Sequence, residues 1–221
     1  MTDTVFRDRK HAGRILAQRL GGYADRPDVT VLALPRGGVP VGYEVAEALH
    51  APFDVFIVRK LGVPGHEEYA MGAIASGGIR VMNQNVLRLM DIDDAAVEEV
   101  TRTEQRELER RERLYREGLP PLEVRGRTII LVDDGLATGS TMLAAIKALN
   151  EKQPERIVVA VPTAAADTCD RVRSKADDVV CVSTPEPFRA VGLWYEDFSQ
   201  TTDEEVRELL ARSHHDMAEP H

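Results

Sequence analysis

The feature that most constrains the fold is a set of short apolar runs that lack the polar alternation of a half-exposed strand. They are Val29–Leu34, Phe53–Val58, Thr128–Val132, Arg156–Val161 and Asp178–Val182, all rich in Val, Ile or Leu. Near-continuous runs of this kind suit strands buried on both faces. Between them lie stretches with helical character, at Val41–Leu49, Met142–Leu149 and Ala164–Lys175. Strand and helix alternating through short loops predict an α/β chain with a mostly parallel sheet flanked by helices. Ligands bind such sheets in the crevice beyond the carboxyl ends of the strands. The loops after the first three runs are therefore where chemistry is expected.

Other segments decorate this core. Thr4–Leu20 reads as an amphipathic opening helix, with Ala12, Ile15, Leu16 and Leu20 at helical spacing and Gly21-Gly22 as its stop. Ala73–Met82 reads as a hairpin turning at Gly77-Gly78. Asp91–Glu117 is the most charged stretch and predicts a solvated surface helix capped by Asp91 or Asp93. Its apolar positions (Val97, Val100, Leu108, Leu114) are too sparse for a coiled-coil heptad, although a partner arm is the alternative. Thr202–Arg212 predicts a last helix, and the polar tail holding His214, His215 and His221 is expected to fray rather than bind metal. The whole of 1–221 is expected to be a single domain with its core at about 29–182.

The 221 residues, 43% of them hydrophobic, can bury a core without covalent staples. A formal net charge of −9 disfavours nucleic acid as a partner, yet leaves room for a local anion site built from backbone amides. Cys169 and Cys181 are too few for a secreted disulfide framework and are expected to be reduced thiols in or near the core. No apolar run approaches the roughly 20 residues that span a bilayer, and the polar N-terminus lacks a signal-peptide core. A cytoplasmic protein with no membrane partner is the expectation.

The richest segment is Thr128–Thr141, TIILVDDGLATGST. A buried strand delivers two adjacent carboxylates, Asp133 and Asp134, to the sheet edge. A loop of small residues (Ala137, Thr138, Gly139, Ser140, Thr141) then opens straight into a helix. Small residues let several amides face one point, the helix N-terminus adds positive character, and the hydroxyls add donors. The helix end contributes about 0.3–1 kcal/mol toward an anion. This describes a pocket for a phosphate monoester. Two adjacent carboxylates repel, so they want cations or several hydroxyl donors; vicinal ribose hydroxyls and a hydrated Mg²⁺ meet that need. A Walker loop is excluded because Ser140, not lysine, follows Gly139. The stretch Arg36–Gly42 does not supply a dinucleotide G-x-G-x-x-G either.

TIILVDDGLATGST resembles the 5-phosphoribosyl-1-pyrophosphate (PRPP) signature of the type I phosphoribosyltransferases. The resemblance implies a phosphoribosyltransferase-type fold with a small hood. It implies that Asp133 and Asp134 contact the ribose hydroxyls, and that Ala137–Thr141 wrap the 5-phosphate. Mg²⁺ would be held mainly by PRPP, near the two acids. LALPRGGVPVG matches the pyrophosphate loop of that family in position, with Arg36, Gly37 and Gly38 as its contacts. Lys60, with Arg59 as the alternate, stands where the family often places a base against pyrophosphate; a solvent-facing pair is the plain alternative. Leu61–Met71 falls where the family keeps a mobile lid that would shield an oxocarbenium-like centre from water.

Either the N-terminal segment or the region from Pro185 onward can form the hood. PFRAVGLWYEDFSQ loosely resembles the hood of 6-oxopurine enzymes, with Phe188, Trp194 and Glu196 as candidate contacts to a base. Ala137, however, stands where those enzymes carry an acid, and RKLGVPG is closer to adenine-type enzymes. The acceptor therefore stays open, as a nucleobase-like nitrogen nucleophile. The expected activity is Mg²⁺-dependent phosphoribosyl transfer, in what the resemblance implies is a homodimer. The alternatives are a PRPP-sensing regulator without turnover and a hydrolase or phosphorylase of phosphoribosyl compounds.

Overall fold

A computed structural model of the chain describes residues 5–218. The main sheet has five parallel strands in the order β2-β1-β6-β7-β8: β1 (Val29–Ala33), β2 (Phe53–Val55), β6 (Thr128–Val132), β7 (Arg156–Thr163) and β8 (Asp178–Ser183). Alternate residues divide between two cores. Val29, Val31 and Ala33 of β1, with Ile130, Val132, Val158 and Ala160, pack toward α1 (Arg9–Arg19), α2 (Gly38–Leu49) and α7 (Asp203–Ala218). Leu32, Ile129, Leu131, Val159 and Val161 pack toward α5 (Ser140–Glu151) and α6 (Ala166–Arg173). Each fully buried aliphatic side chain contributes about 1.5–3 kcal/mol, which is why these strands carry no polar face.

A second sheet is antiparallel: β3 (Val58–Val63), β4 (His66–Ala75) and β5 (Ile79–Met82), followed by α3 (Gln84–Leu89). The hairpin at Gly77-Gly78 has the positive φ that its turn requires, +80° and +75°. The Phe53–Val58 run is not one strand. It pairs with β1 only to Val55. Phe56 and Ile57 then bury into opposite cores, and Ser76 Oγ takes the Ile57 amide at the corner. Uniformly apolar residues do not reveal such a corner. The segment that falls at the family's lid position, Leu61–Met71, forms the tip and arms of the β3–β4 ribbon.

The opening helix starts at Arg9, because Asp8 caps it by accepting from the His11 amide, while Thr4 lies outside the described residues. Phe6 forms a bridge with Tyr195 instead of continuing the helix. The second helix starts at Gly38, three residues earlier than its apolar pattern indicates; Pro40 is tolerated there since first-turn amides have no intrahelical partner. α4 (Asp94–Arg116) is capped by Asp93 and buries Val97, Leu108 and Tyr115 against its own chain. Arg116 at its end forms a nearly buried double hydrogen bond with Asp54, at 2.9 and 2.8 Å. α7 runs through His214 and His215, so the expected fraying before them does not occur; His221 lies outside the described residues.

The expectation of two reduced thiols is also corrected: Cys169 on α6 and Cys181 on β8 form a disulfide. α6 packs against β8, which brings together two cysteines whose separation of 12 residues carried no such information. Among the described residues, no helix is long and apolar enough to cross a membrane.

Candidate functional site

β1 and β6 are neighbours, but β2 continues outward from β1 while β7 and β8 continue from β6 in the other direction. The crevice at the carboxyl ends of β1 and β6 is thus the topological switch point. Register carries the two loops there together, since Ala33 pairs with Val132 and the Leu34 amide donates to Val132 O at 2.9 Å. The approach is close enough to demand glycine. A Cβ on Gly37 would stand 2.0 Å from Asp134 Oδ2, and one on Gly38 would stand 2.8 Å from Val132 O. The Pro35–Arg36 peptide in this loop is cis. α2 and α5 both start at this edge behind glycine N-caps that supply no side-chain bond; at α2 the Gly38 and Val39 amides donate to Leu34 O and Arg36 O at 3.1 Å, and at α5 the Ser140 amide reaches Thr138 Oγ1 at 3.5 Å. Two helix N-termini, each the positive end of a helix dipole, flank the crevice.

Asp133 and Asp134 stand side by side in it. The Asp134 amide donates to Asp133 Oδ1 at 2.9 Å. Arg9, from the first turn of α1, donates from Nε to Asp134 Oδ2 at 2.9 Å, and its Nη2 lies 2.8 Å from the same oxygen. Arg9 also donates to Ser199 O at 2.6 Å and lies 3.9 Å from the centre of the Phe198 ring. Tyr195, almost fully buried, donates its hydroxyl to Asp134 O at 2.6 Å. Burial, and then the charge of Asp134, hold the Asp133 carboxyl well above the usual carboxylate range. Burial also raises Asp134, while the Arg9 guanidinium pulls it back. One guanidinium therefore faces two carboxylates, and the crevice retains a demand for positive charge or hydroxyl donors.

Beside the acids, Gly139 turns the chain into α5 with φ +66°, and a Cβ there would stand 2.7 Å from Thr168 Cγ2. α6 grips the loop from behind. Thr168 Oγ1 donates to Ala137 O at 2.7 Å, and Arg171 donates to Thr138 O at 2.5 Å. With those carbonyls engaged behind the loop, its open side is left to the exposed Thr138, Ser140 and Thr141. The Thr138 and Ser140 hydroxyls lie 3.1 Å apart.

Residues 3–196 match the pattern of the phosphoribosyl transferase domain. The chain belongs to the phosphoribosyl transferase family. A Mycobacterium tuberculosis protein provisionally named as a phosphoribosyl transferase is 47% identical over 215 residues, 97% of this chain and 48% of that protein. The chain thus spans about half the length of the curated relatives it matches first. The uracil phosphoribosyltransferase of Metallosphaera sedula is 28% identical over 166 residues, 65% of this chain and 71% of that protein. The crystal structure of the Thermus thermophilus protein TT1426 superposes with a TM-score of 0.84 at 40% identity, covering 95% of this chain and 99% of that one.

The remaining candidate residues of this phosphoribosyl transferase domain are less concentrated. Arg36 reaches from the glycine loop toward Asp203 at the start of α7, with Nη1 3.6 Å from Oδ1. Lys60 is exposed on β3, not at the end of β2, and Arg59 is committed to Glu104 of α4 at 2.6 Å. Both proposed hood segments come together: the Phe6 amide donates to Trp194 O, and the Glu196 and Asp197 amides donate to Phe6 O and Arg7 O. Phe188 and Trp194 stack on one another with centroids 6.3 Å apart, while Glu196 is exposed. Arg9, Thr168, Arg171, Tyr195 and Asp203 escaped the sequence reading. An arginine 125 residues before its carboxylate partner leaves no local signal, and neither does a helix residue that braces a neighbouring loop.

Proposed function

We propose that the domain transfers ribose 5-phosphate from PRPP to a nitrogenous acceptor and releases pyrophosphate. The observation that carries this reading is the acid pair at the switch point, with Gly37 against Asp134 on one side and the Gly139-led start of α5 on the other. In this reading the Ala137–Thr141 loop binds the 5-phosphate with its amides and hydroxyls. Asp133 and Asp134 take the ribose hydroxyls and offset positive charge developing on the sugar. Arg36, Gly37 and Gly38 receive the pyrophosphate, with exposed Lys60 as a further cation. The residues fit Mg²⁺ as an ion carried by the substrate. Two adjacent carboxylates supply hard oxygen donors, and Mg²⁺ commonly keeps several waters and binds through one or two carboxylates together with substrate phosphates. When bound, the ion would neutralise charge on the leaving pyrophosphate. No described residue is assigned as general base.

The acceptor in this reading lies under the hood, where the Phe188–Trp194 pair offers a flat aromatic face to a planar base. A purine-like base is the first choice. Uracil belongs in the same screen, because a uracil phosphoribosyltransferase is among the relatives. Calorimetric titration with PRPP, with and without Mg²⁺, tests the site, and a nucleobase screen for pyrophosphate release tests the reaction. Tight Mg²⁺-dependent binding and release on one base support the reading, and absence of PRPP binding removes it. Asp133→Asn together with Asp134→Asn is expected to abolish turnover; unchanged turnover removes the role given to the pair.

A further inference from the structure

We propose that Asp203 and Tyr115 are positioning residues for Arg36, holding its guanidinium at the mouth of the pyrophosphate pocket. This rests on the reading of the glycine loop given above. Arg36 is a long, partly exposed side chain, and Asp203 is the acidic partner found beside it, at 3.6 Å. Asp203 is itself fixed. It occupies the first turn of α7, where the helix dipole favours a carboxylate, and its Oδ1 accepts the Tyr115 hydroxyl. Tyr115 is only 5% exposed and is carried near the end of α4, which is anchored through Leu108 and Val97. Burial, and then the bond to Asp203, push the Tyr115 hydroxyl up to about 12, so it remains a donor at neutral pH. The long charged helix is thereby linked to the phosphate-binding edge of the main sheet.

The geometry distinguishes positioning from blockage. A competing carboxylate would be expected to grip the guanidinium closely with both oxygens, as Asp54 grips Arg116 at 2.9 and 2.8 Å. Asp203 instead meets one nitrogen at 3.6 Å, and that same oxygen is shared with Tyr115. Most of the five guanidinium N–H donors stay free for phosphate oxygens. Ordering the side chain beforehand reduces what binding must immobilise.

The test is calorimetric titration of the full chain with Mg²⁺-pyrophosphate and, separately, with ribose 5-phosphate, for wild type, Asp203→Asn, Tyr115→Phe, Arg36→Ala and the Asp203→Asn/Arg36→Ala double variant. Asp203→Asn is expected to weaken pyrophosphate binding about 10-fold, and Tyr115→Phe a few-fold, with ribose 5-phosphate affinity within about 2-fold of wild type. In the Arg36→Ala background, Asp203→Asn should add nothing. Tyr115→Phe keeps the buried ring, so it carries the test if Asp203→Asn disturbs the start of α7. Unchanged or tighter pyrophosphate binding in Asp203→Asn overturns the proposal, as does equal weakening with and without Arg36. A wild-type protein that binds neither ligand removes the proposed function and this inference together. A wild-type protein that binds both, with variants that match it, removes this inference alone.

Discussion

Arg9→Met should separate the hood from the acid pair while keeping most of the side-chain stem. In the native protein the Arg9 guanidinium makes two contacts with Asp134 Oδ2, at 2.9 and 2.8 Å, in a pair whose side chains are 11% and 15% exposed. It also holds Ser199 O and covers the Phe198 ring. Removing one partner of a buried pair costs about 3–5 kcal/mol, and the ring contact adds about 0.5–1 kcal/mol. For a chain of this size, a loss of about 4 kcal/mol lowers Tm by about 8–16 °C. The pH dependence follows from the carboxyl. Burial already raises Asp134, and losing Arg9 removes the main influence pulling it back. The penalty is therefore full while Asp134 is ionised, and shrinks as pH falls through its raised folded-state pKa. Differential scanning calorimetry at about pH 7.5 and about pH 4.5 should give a wide gap between wild type and variant at the higher pH and a narrow one at the lower. Arg9→Met/Asp134→Asn should recover much of the loss at neutral pH. A Tm within about 2 °C of wild type at neutral pH, or a gap that ignores pH, would refute the electrostatic account.

Asp133→Asn should raise the Tm of the ligand-free protein at neutral pH even as it impairs function. The carboxyl is held up by burial and by Asp134, so the stability it contributes below its ordinary value of 3.8 is lost as pH rises through its folded value; the gain should vanish toward pH 4, and a melt series reads it. Gly139→Ala imposes a left-handed φ on a side chain whose Cβ would meet Thr168 at 2.7 Å, a cost of about 2–4 kcal/mol seen in urea unfolding, with weakened ribose 5-phosphate binding. Arg116→Met leaves the buried Asp54 unpaired and should cost about 3–5 kcal/mol, much of it recovered in Arg116→Met/Asp54→Asn. Thr168→Val removes the hydroxyl that holds Ala137 O, for a stability change of about 1 kcal/mol and a selective loss of 5-phosphate affinity; equal loss of pyrophosphate affinity would contradict a local role for the loop.

The sequence by itself determined the parts whose physics is local. Thr128–Val132 is wholly apolar or β-branched, so it must be buried on both faces, and it is a central strand with the predicted bounds. The acids, the small-residue loop and the following helix are contiguous, so their order alone carried the family resemblance and the expectation of a phosphate-type corner. The Gly77-Gly78 turn and the Asp93 cap were legible for the same reason. Only the tertiary structure decided what depends on distant segments meeting. It ended β2 at Val55, joined Cys169 to Cys181, and combined the two alternative hood segments through the Phe6–Tyr195 bridge. It supplied Arg9 to Asp134 and Asp203 to Arg36, at separations of 125 and 167 residues. A carboxylate in a chain records that it needs a cation, but which of the 28 Lys and Arg residues arrives is fixed by how the helices pack on the sheet.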